Sequence, residues 1–272
     1  MRLPLTLGIL FALPGAAAAE EQCKLSEPRS LELQLTGVKS VLFEVASNDL
    51  HLDALPSGGG RLSGRACAAR AELLKGLTVT QKRVGDKLVV TLSDDRRFSF
   101  GQSYAYLDLH GSVPNTMLVQ FDVGSGDAQI SGAAAVSAVV GFGDMTIRRT
   151  KGRVTAKVGS GDVELEDLGA LRVLAVGSGD LKARDVHGAA EVAKVQSGEV
   201  KLHGVAGNIK VGTIGSGDVD IRDVQGNVSV ESLASGTLGL RNVRGDVSVT
   251  RKGSGDIEVS EVTGSTRVPA DK

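Results

Sequence analysis

Aspartate, closing a short glycine turn again and again, is the residue of this chain that most invites a chemical reading. The turns are GSGD at 124–127, GFGD at 141–144, GSGD at 159–162 and 177–180, QSGE at 196–199, GSGD at 215–218, ASGT at 234–237 and GSGD at 253–256. They place Asp127, Asp144, Asp162, Asp180, Glu199, Asp218 and Asp256 in one acidic column, interrupted by Thr237. A glycine turn could cradle phosphate, but that needs a helix N-terminus behind it to aim amides at the anion. Here alternating apolar residues follow each turn and no GKS or GKT occurs, so nucleotide binding is not expected. Calcium-binding β-rolls of the G-G-x-G-x-D kind are nearer, yet they set a glycine two residues before the aspartate, whereas GSGD sets its glycines one and three before it. The bland reading is that each aspartate caps the amides of its own turn in water, with glycine supplying positive φ and close stacking. Neither a metal nor a cofactor is assigned.

A second column, Asp167, Asp185, His203, Asp223, Asn242 and Glu261, marks another corner. Stacked carboxylates on a β-helix can serve as the acid and base of a polysaccharide-cleaving enzyme. These residues are the repeat itself, however, whereas an enzyme's site normally interrupts one. The four histidines, His51, His110, His187 and His203, are dispersed, and GxSxG, HExxH and paired CxxC motifs are absent. No catalytic residue is assigned. The aromatic residues concentrate in RRFSFGQSYAY, where Arg96, Arg97, Phe98, Phe100, Tyr104 and Tyr106 could form a partner-binding patch. The alternative is that alternate members cap the open end of a core, with Phe142, which replaces a turn serine, belonging to the same cap.

The elements that carry these residues follow from their spacing. The second positions of the eight turns (Ser125, Phe142, Ser160, Ser178, Ser197, Ser216, Ser235, Ser254) lie 17, 18, 18, 19, 19, 19 and 19 residues apart. Each period holds two apolar alternations, such as Val219 and Ile221, then Val228 and Val230, which argue strand. Strands so short bury a face only by stacking coil on coil, roughly 4.8 Å apart, with parallel pairing. The fold expected is an all-β, single-stranded parallel β-helix (a β-solenoid) of about 18–19 residues per coil over 121–264. The right hand is expected for its coiling. Residues 20–120 read as a less regular β-rich cap: Ser47-Asn48-Asp49 stands where a GSGD turn would fall, and 76–94 reads as two strands about Gly85-Asp86. A polar tail, 265–272, ends the chain.

Arg2, the apolar run from Leu3 to Pro14 and Ala17-Ala18-Ala19 read as a secretory signal over 1–19, and no later segment is long and apolar enough to span a bilayer. Removing Arg2 takes the formal net charge of −1 to −2, a balance that leaves no electrostatic footprint for nucleic acid. In an oxidising compartment Cys23 and Cys67 are expected to form a disulfide pinning the mature N-terminus.

A strand-rich N-terminal half, the hinge HGSVPNTMLVQFDV and serial sGD-V-x-L-x-D-V-x-G coils resemble the bacterial putative-adhesin family of unknown function. The resemblance implies a single-chain β-solenoid outside the cytoplasm and implies no catalytic residue. The function expected is therefore a non-enzymatic, exported scaffold, periplasmic or extracellular, offering a surface to an envelope protein or glycan. A carbohydrate-active β-helix using the acidic corners is the alternative.

Overall fold

The computed structural model describes residues 23–57, 59–94 and 104–270. The strands of its first half are β1 (Leu25–Glu32), β2 (Ser40–Ala46), β3 (Asp49–Leu55), β4 (Arg61–Ala68), β5 (Leu77–Val84), β6 (Lys87–Asp94), β7 (Ala105–Pro114), β8 (Leu118–Val123), β9 (Ala128–Ser131) and β10 (Ala135–Val140). One turn of helix, α1 (Ala71–Leu74), sits between β4 and β5. The rest comprises β11 (Met145–Val158), β12 (Val163–Val176), β13 (Asp180–Val186), β14 (Ala190–Val195), β15 (Glu199–Val205), β16 (Ile209–Ile214), β17 (Asp218–Val224), β18 (Val228–Leu233), β19 (Thr237–Val243), β20 (Val247–Lys252), β21 (Asp256–Val262) and β22 (Thr266–Arg267).

Two parallel walls run the length of the solenoid. The first stacks β7, β3, β9, the opening residues of β11 and β12, then β13, β15, β17, β19 and β21. The second stacks β6, β2, β8, β10, the closing residues of β11 and β12, then β14, β16, β18, β20 and β22. The expected all-β parallel solenoid with a less regular N-terminal region is therefore what the chain forms.

Alternation explains the core. In one coil Val219, Ile221, Val224, Val228, Val230 and Leu233 all point inward and are buried. The step from Ile221 to Val224 is three residues rather than two, and Asp223 between them adopts φ +57°. That left-handed residue turns the corner and resets the phase so that Val224 faces inward again. The same φ sign recurs at Arg149, Asp167, Asp185, Gly204, Asn242 and Glu261. Asp, Asn and Gly dominate the column because they tolerate left-handed backbone best. His203 is therefore not a member of it, as the sequence suggested; Gly204 is, and His203 lies one residue earlier, in register with Arg184 and Arg222.

At the N-terminal end, chain order and spatial order part. The coil of β2 and β3 is sandwiched between the later coil of β6 and β7 on one side and that of β8 and β9 on the other. Antiparallel strands finish the two edges: β5 pairs with β6, while β4 pairs with β7 and β1 with β4. The 76–94 hairpin is thus present. Cys23 and Cys67 form a disulfide with 5.5 Å between Cα atoms, tying the start of β1 to the end of β4. Closing a loop across 44 positions, it should contribute about 2–4 kcal/mol. Cys23→Ser is expected to lower stability by about 2 kcal/mol, because β1 keeps its ladder to β4, which a urea midpoint with and without reductant would measure.

Candidate functional site

The turn column is a backbone device first. A Cβ placed on Gly143, Gly161, Gly179 or Gly236 would lie 1.8–1.9 Å from a carbonyl oxygen of the coil beneath. None of these four has positive φ. Close stacking alone excludes a side chain there, which corrects the expectation that the turn needs left-handed backbone.

The aspartates also work between coils rather than within one. The amide of Asp144 donates to Oδ1 of Asp127 at 3.1 Å, and Asp162 to Asp144 and Asp180 to Asp162, each at 3.2 Å. Asp49 starts the column by accepting from the amide of Asp127, and Asp218 continues it to Thr237. Asp49, Asp127, Asp144, Asp162, Asp180 and Asp218 thus each hold the next turn. The two irregular copies show why the side chain matters. After Glu199 the amide of Asp218 turns to the carbonyl of Gly198, and after Thr237 that of Asp256 turns to Gly236. Glu199 is instead engaged by Lys201 at 2.6 Å, the bond that chiefly raises the lysine's pKa. Asp49 is held above the usual carboxylate range by burial, opposed by the Asp127 amide and reinforced by the charges of Asp127 and Asp108.

At the second corner His187 Nε2 meets Asp167 Oδ1 at 2.7 Å and His203 Nε2 meets Asp223 Oδ2 at 2.5 Å. Asn242 also donates to Asp223, and this bond, ahead of His203, lowers the Asp223 pKa. All four members of the His–Asp pairs are about half exposed or more. Solvent screening leaves such pairs worth little to stability.

Arg96, Arg97, Phe98 and Phe100 of the aromatic segment lie outside the described residues. Tyr104 and Tyr106 are described, and they point outward while Ala105, Leu107 and Leu109 fill the core. Their rings are 6.3 Å apart, and the amide of Lys24 donates to the Tyr104 hydroxyl. Phe142 is 77% exposed at its turn, so it does not join an end cap.

Sequence reasoning missed a groove on the second wall. It crosses successive coils from Arg153 to Arg267, with a volume of about 670 Å³. Its floor is stepped by small residues, Ala170, Ala189, Ser229 and Ser248. Along it runs a polar ladder in which Asn208 accepts the amide of Asn227, Asn227 that of Asp246, and Asp246 the amide and hydroxyl of Ser265. The Ser265 bonds lower the Asp246 pKa. Arg153, Arg172, Lys210 and Arg267 outnumber Glu191 and Asp246 along its walls. The residue signal lay in the G-N/D pairs at 207–208, 226–227 and 245–246, which repeat at the coil spacing.

Topology also assembles what spacing had scattered. His51 on β3 is the direct neighbour of His110 on β7, their rings stacked 5.0 Å apart, with Asp108 on the same outer face.

These features define a parallel β-solenoid, and the chain belongs to the Toastrack DUF4097 family, which residues 77–272 match. No curated protein matches it significantly. Among solved structures, a putative lipid binding protein from Parabacteroides distasonis is 16% identical, covering 89% of this chain and 96% of its own, with a TM-score of 0.44. A putative adhesin from Parabacteroides merdae is 11% identical, with coverages of 89% and 95% and a TM-score of 0.47. Another from Bacteroides fragilis is 14% identical, with coverages of 86% and 97% and a TM-score of 0.39. Likenesses this distant say nothing of ligand or activity. No helix among the described residues is long and apolar enough to cross a membrane.

Proposed function

We propose that the protein is an exported, non-enzymatic scaffold whose second wall holds an extended protein or glycan partner. The observation that carries this reading is the groove from Arg153 to Arg267: it crosses successive coils, is lined by the Asn208–Asn227–Asp246 ladder and has more basic than acidic side chains. A partner lying along the coils would meet backbone-anchored amides and carboxylates at a regular rise, with arginine and lysine placed for its anionic groups. Export is supported by the signal-like pattern of residues 1–19 and by the Cys23–Cys67 disulfide, a bond that persists in oxidising compartments.

The groove is poorly built for glycoside hydrolysis. Its carboxylates, Glu191 and Asp246, stand three coils apart, about 14 Å at the usual strand spacing. An acid and base flanking one glycosidic bond stand about 5–9.5 Å apart. Glu191 is moreover 3.6 Å from Arg172, and Asp246 accepts from Ser265.

An array of acidic and neutral glycans and envelope-protein fractions tests the proposal. Lys210→Glu with Arg267→Glu should weaken the strongest binder at least tenfold while the unfolding midpoint stays where it was. Undiminished binding by the double variant would remove the groove from the account. Hydrolysis of any arrayed glycan, lost in Asp167→Asn, Asp185→Asn or Asp223→Asn, would replace the scaffold by an enzyme.

A further inference from the structure

We propose that His51, Asp108 and His110 form a transition-metal site with one coordination position open to solvent. The inference stands apart from the groove, which lies on the other wall. Carboxylates and imidazoles gather where β3 meets β7. On the outer face of the first wall, β3 and β7 set Asp49 directly opposite Asp108 and His51 directly opposite His110. Like charges directly opposite one another across paired strands are unfavourable. Asp127, whose amide bonds to Asp49, brings a third carboxylate to the same corner. A divalent cation held by Asp108 and the two histidines would offset that repulsion.

The donor geometry fits such an ion. One ligand atom from each of His51, Asp108 and His110 lies within 4.8 Å of the other two. His110 Nε2 stands 3.3 Å from Asp108 Oδ1. The edge of a tetrahedron around zinc, with bonds of about 2.0–2.1 Å, is also about 3.3 Å. His51 and His110 are exposed, so their imidazoles can turn to close the remaining distances without disturbing the core. Asp108 needs no such movement. Arg65 on β4 binds its other oxygen, Oδ2, at 3.1 Å and fixes the carboxylate with Oδ1 toward the histidines. Outer partners of this kind hold a ligating group in place.

Two imidazoles and one carboxylate favour Zn²⁺, Cu²⁺ or Ni²⁺ over Ca²⁺ or Mg²⁺, which take oxygen ligands in larger number. Three protein ligands leave a fourth position for water or for a donor atom of another molecule. The site also spans the place where the chain departs from spatial order, since β3 and β7 are separated by β4, β5 and β6 in sequence. A bound ion would pin those two strands together.

The test is calorimetric titration of chelator-treated full-length mature protein with ZnCl₂. One equivalent of Zn²⁺ per chain is expected, with affinity falling at least tenfold in His51→Ala, His110→Ala and Asp108→Asn. His187→Ala and His203→Ala, several coils farther along the solenoid, should bind as the parent does. Cu²⁺ added to the unsubstituted protein should give an electron paramagnetic resonance spectrum with coupling to two imidazole nitrogens, a readout independent of any variant's folding. Absence of one-equivalent binding, equal losses in the His187 and His203 variants, or a spectrum without two-imidazole coupling would overturn the site.

Discussion

Gly161→Ala is expected to destabilise the solenoid by about 3 kcal/mol or more, an effect at the upper end for overpacking. The Cβ of the new residue would stand 1.9 Å from the Gly143 carbonyl oxygen and 2.9 Å from the Phe142 carbonyl carbon. Both are backbone, so no side chain can swing aside. The coils must separate at this corner, and the separation strains the bonds from Ser160 and Gly161 to the Gly141 carbonyl. Two coils of the core, around Met145 and Val163, would be pried apart with them. Gly239→Ala is the control: it too lies in the regular repeat, but its nearest neighbour is a side-chain oxygen of Asp220 at 3.6 Å. That variant should stay within about 0.5 kcal/mol of the parent. Urea unfolding of the two variants side by side decides the matter. Equal midpoints would mean that the coils are held less closely than the structure shows.

The same glycines show how much could be read before the structure. Period, strand content and inward residues were legible because each coil repeats the same burial problem, and eight copies average out local ambiguity. Val219, Ile221 and Val224 carry that information in their types alone. What glycine was for was not legible, since a residue without a side chain looks the same whether the backbone needs left-handed φ or a neighbour needs the space. Gly204 and Gly161 are one of each. His203 misleads for a related reason: HG and RD fill the same two positions, and in HG the polar residue is the first whereas the left-handed one is the second. Spacing carried the G-N/D ladder but neither the groove it lines nor the pairing of His51 with His110. The first is a void between side chains, and the second depends on a coil inserted out of sequence order.

That inserted coil supplies the other large effect. Asn48→Ala is expected to cost about 3–5 kcal/mol, since it would take the side-chain partner from the Leu92 carbonyl and the Leu107 amide, at about 1–3 kcal/mol each, and leave a void in the core. Asn48 is completely buried, in the turn between β2 and β3. Its side-chain NH₂ donates to the carbonyls of Val45 and Leu92, at 2.9 and 3.1 Å, and its Oδ1 accepts from the amide of Leu107 at 2.8 Å. Everywhere farther along the solenoid, a glycine turn below accepts the backbone bonds of the glycine turn above. Below Asn48 lie β6, which ends at Asp94, and β7, which begins at Ala105. The asparagine amide bridges the two strands, through Leu92 of β6 and Leu107 of β7. Its backbone meanwhile receives the next coil, with the Asp127 amide on its carbonyl and Gly126 pressed so close that a Cβ there would sit 2.0 Å from that oxygen. A side chain is thus required on the lower face of this turn and forbidden on the upper one, so one SND turn begins a column of glycines. Asn48→Asp separates the two halves of the role: it keeps an acceptor for Leu107 but gives up both donors and buries a carboxylate against carbonyl oxygens, so it should be no more stable than Asn48→Ala. Amide exchange would locate the damage. Protection should fall first at Leu107 and along β2 and β3, while β15 to β19 keep theirs. Uniform loss of protection along the whole solenoid, or an Asn48→Ala midpoint matching the parent, would contradict the bridging role.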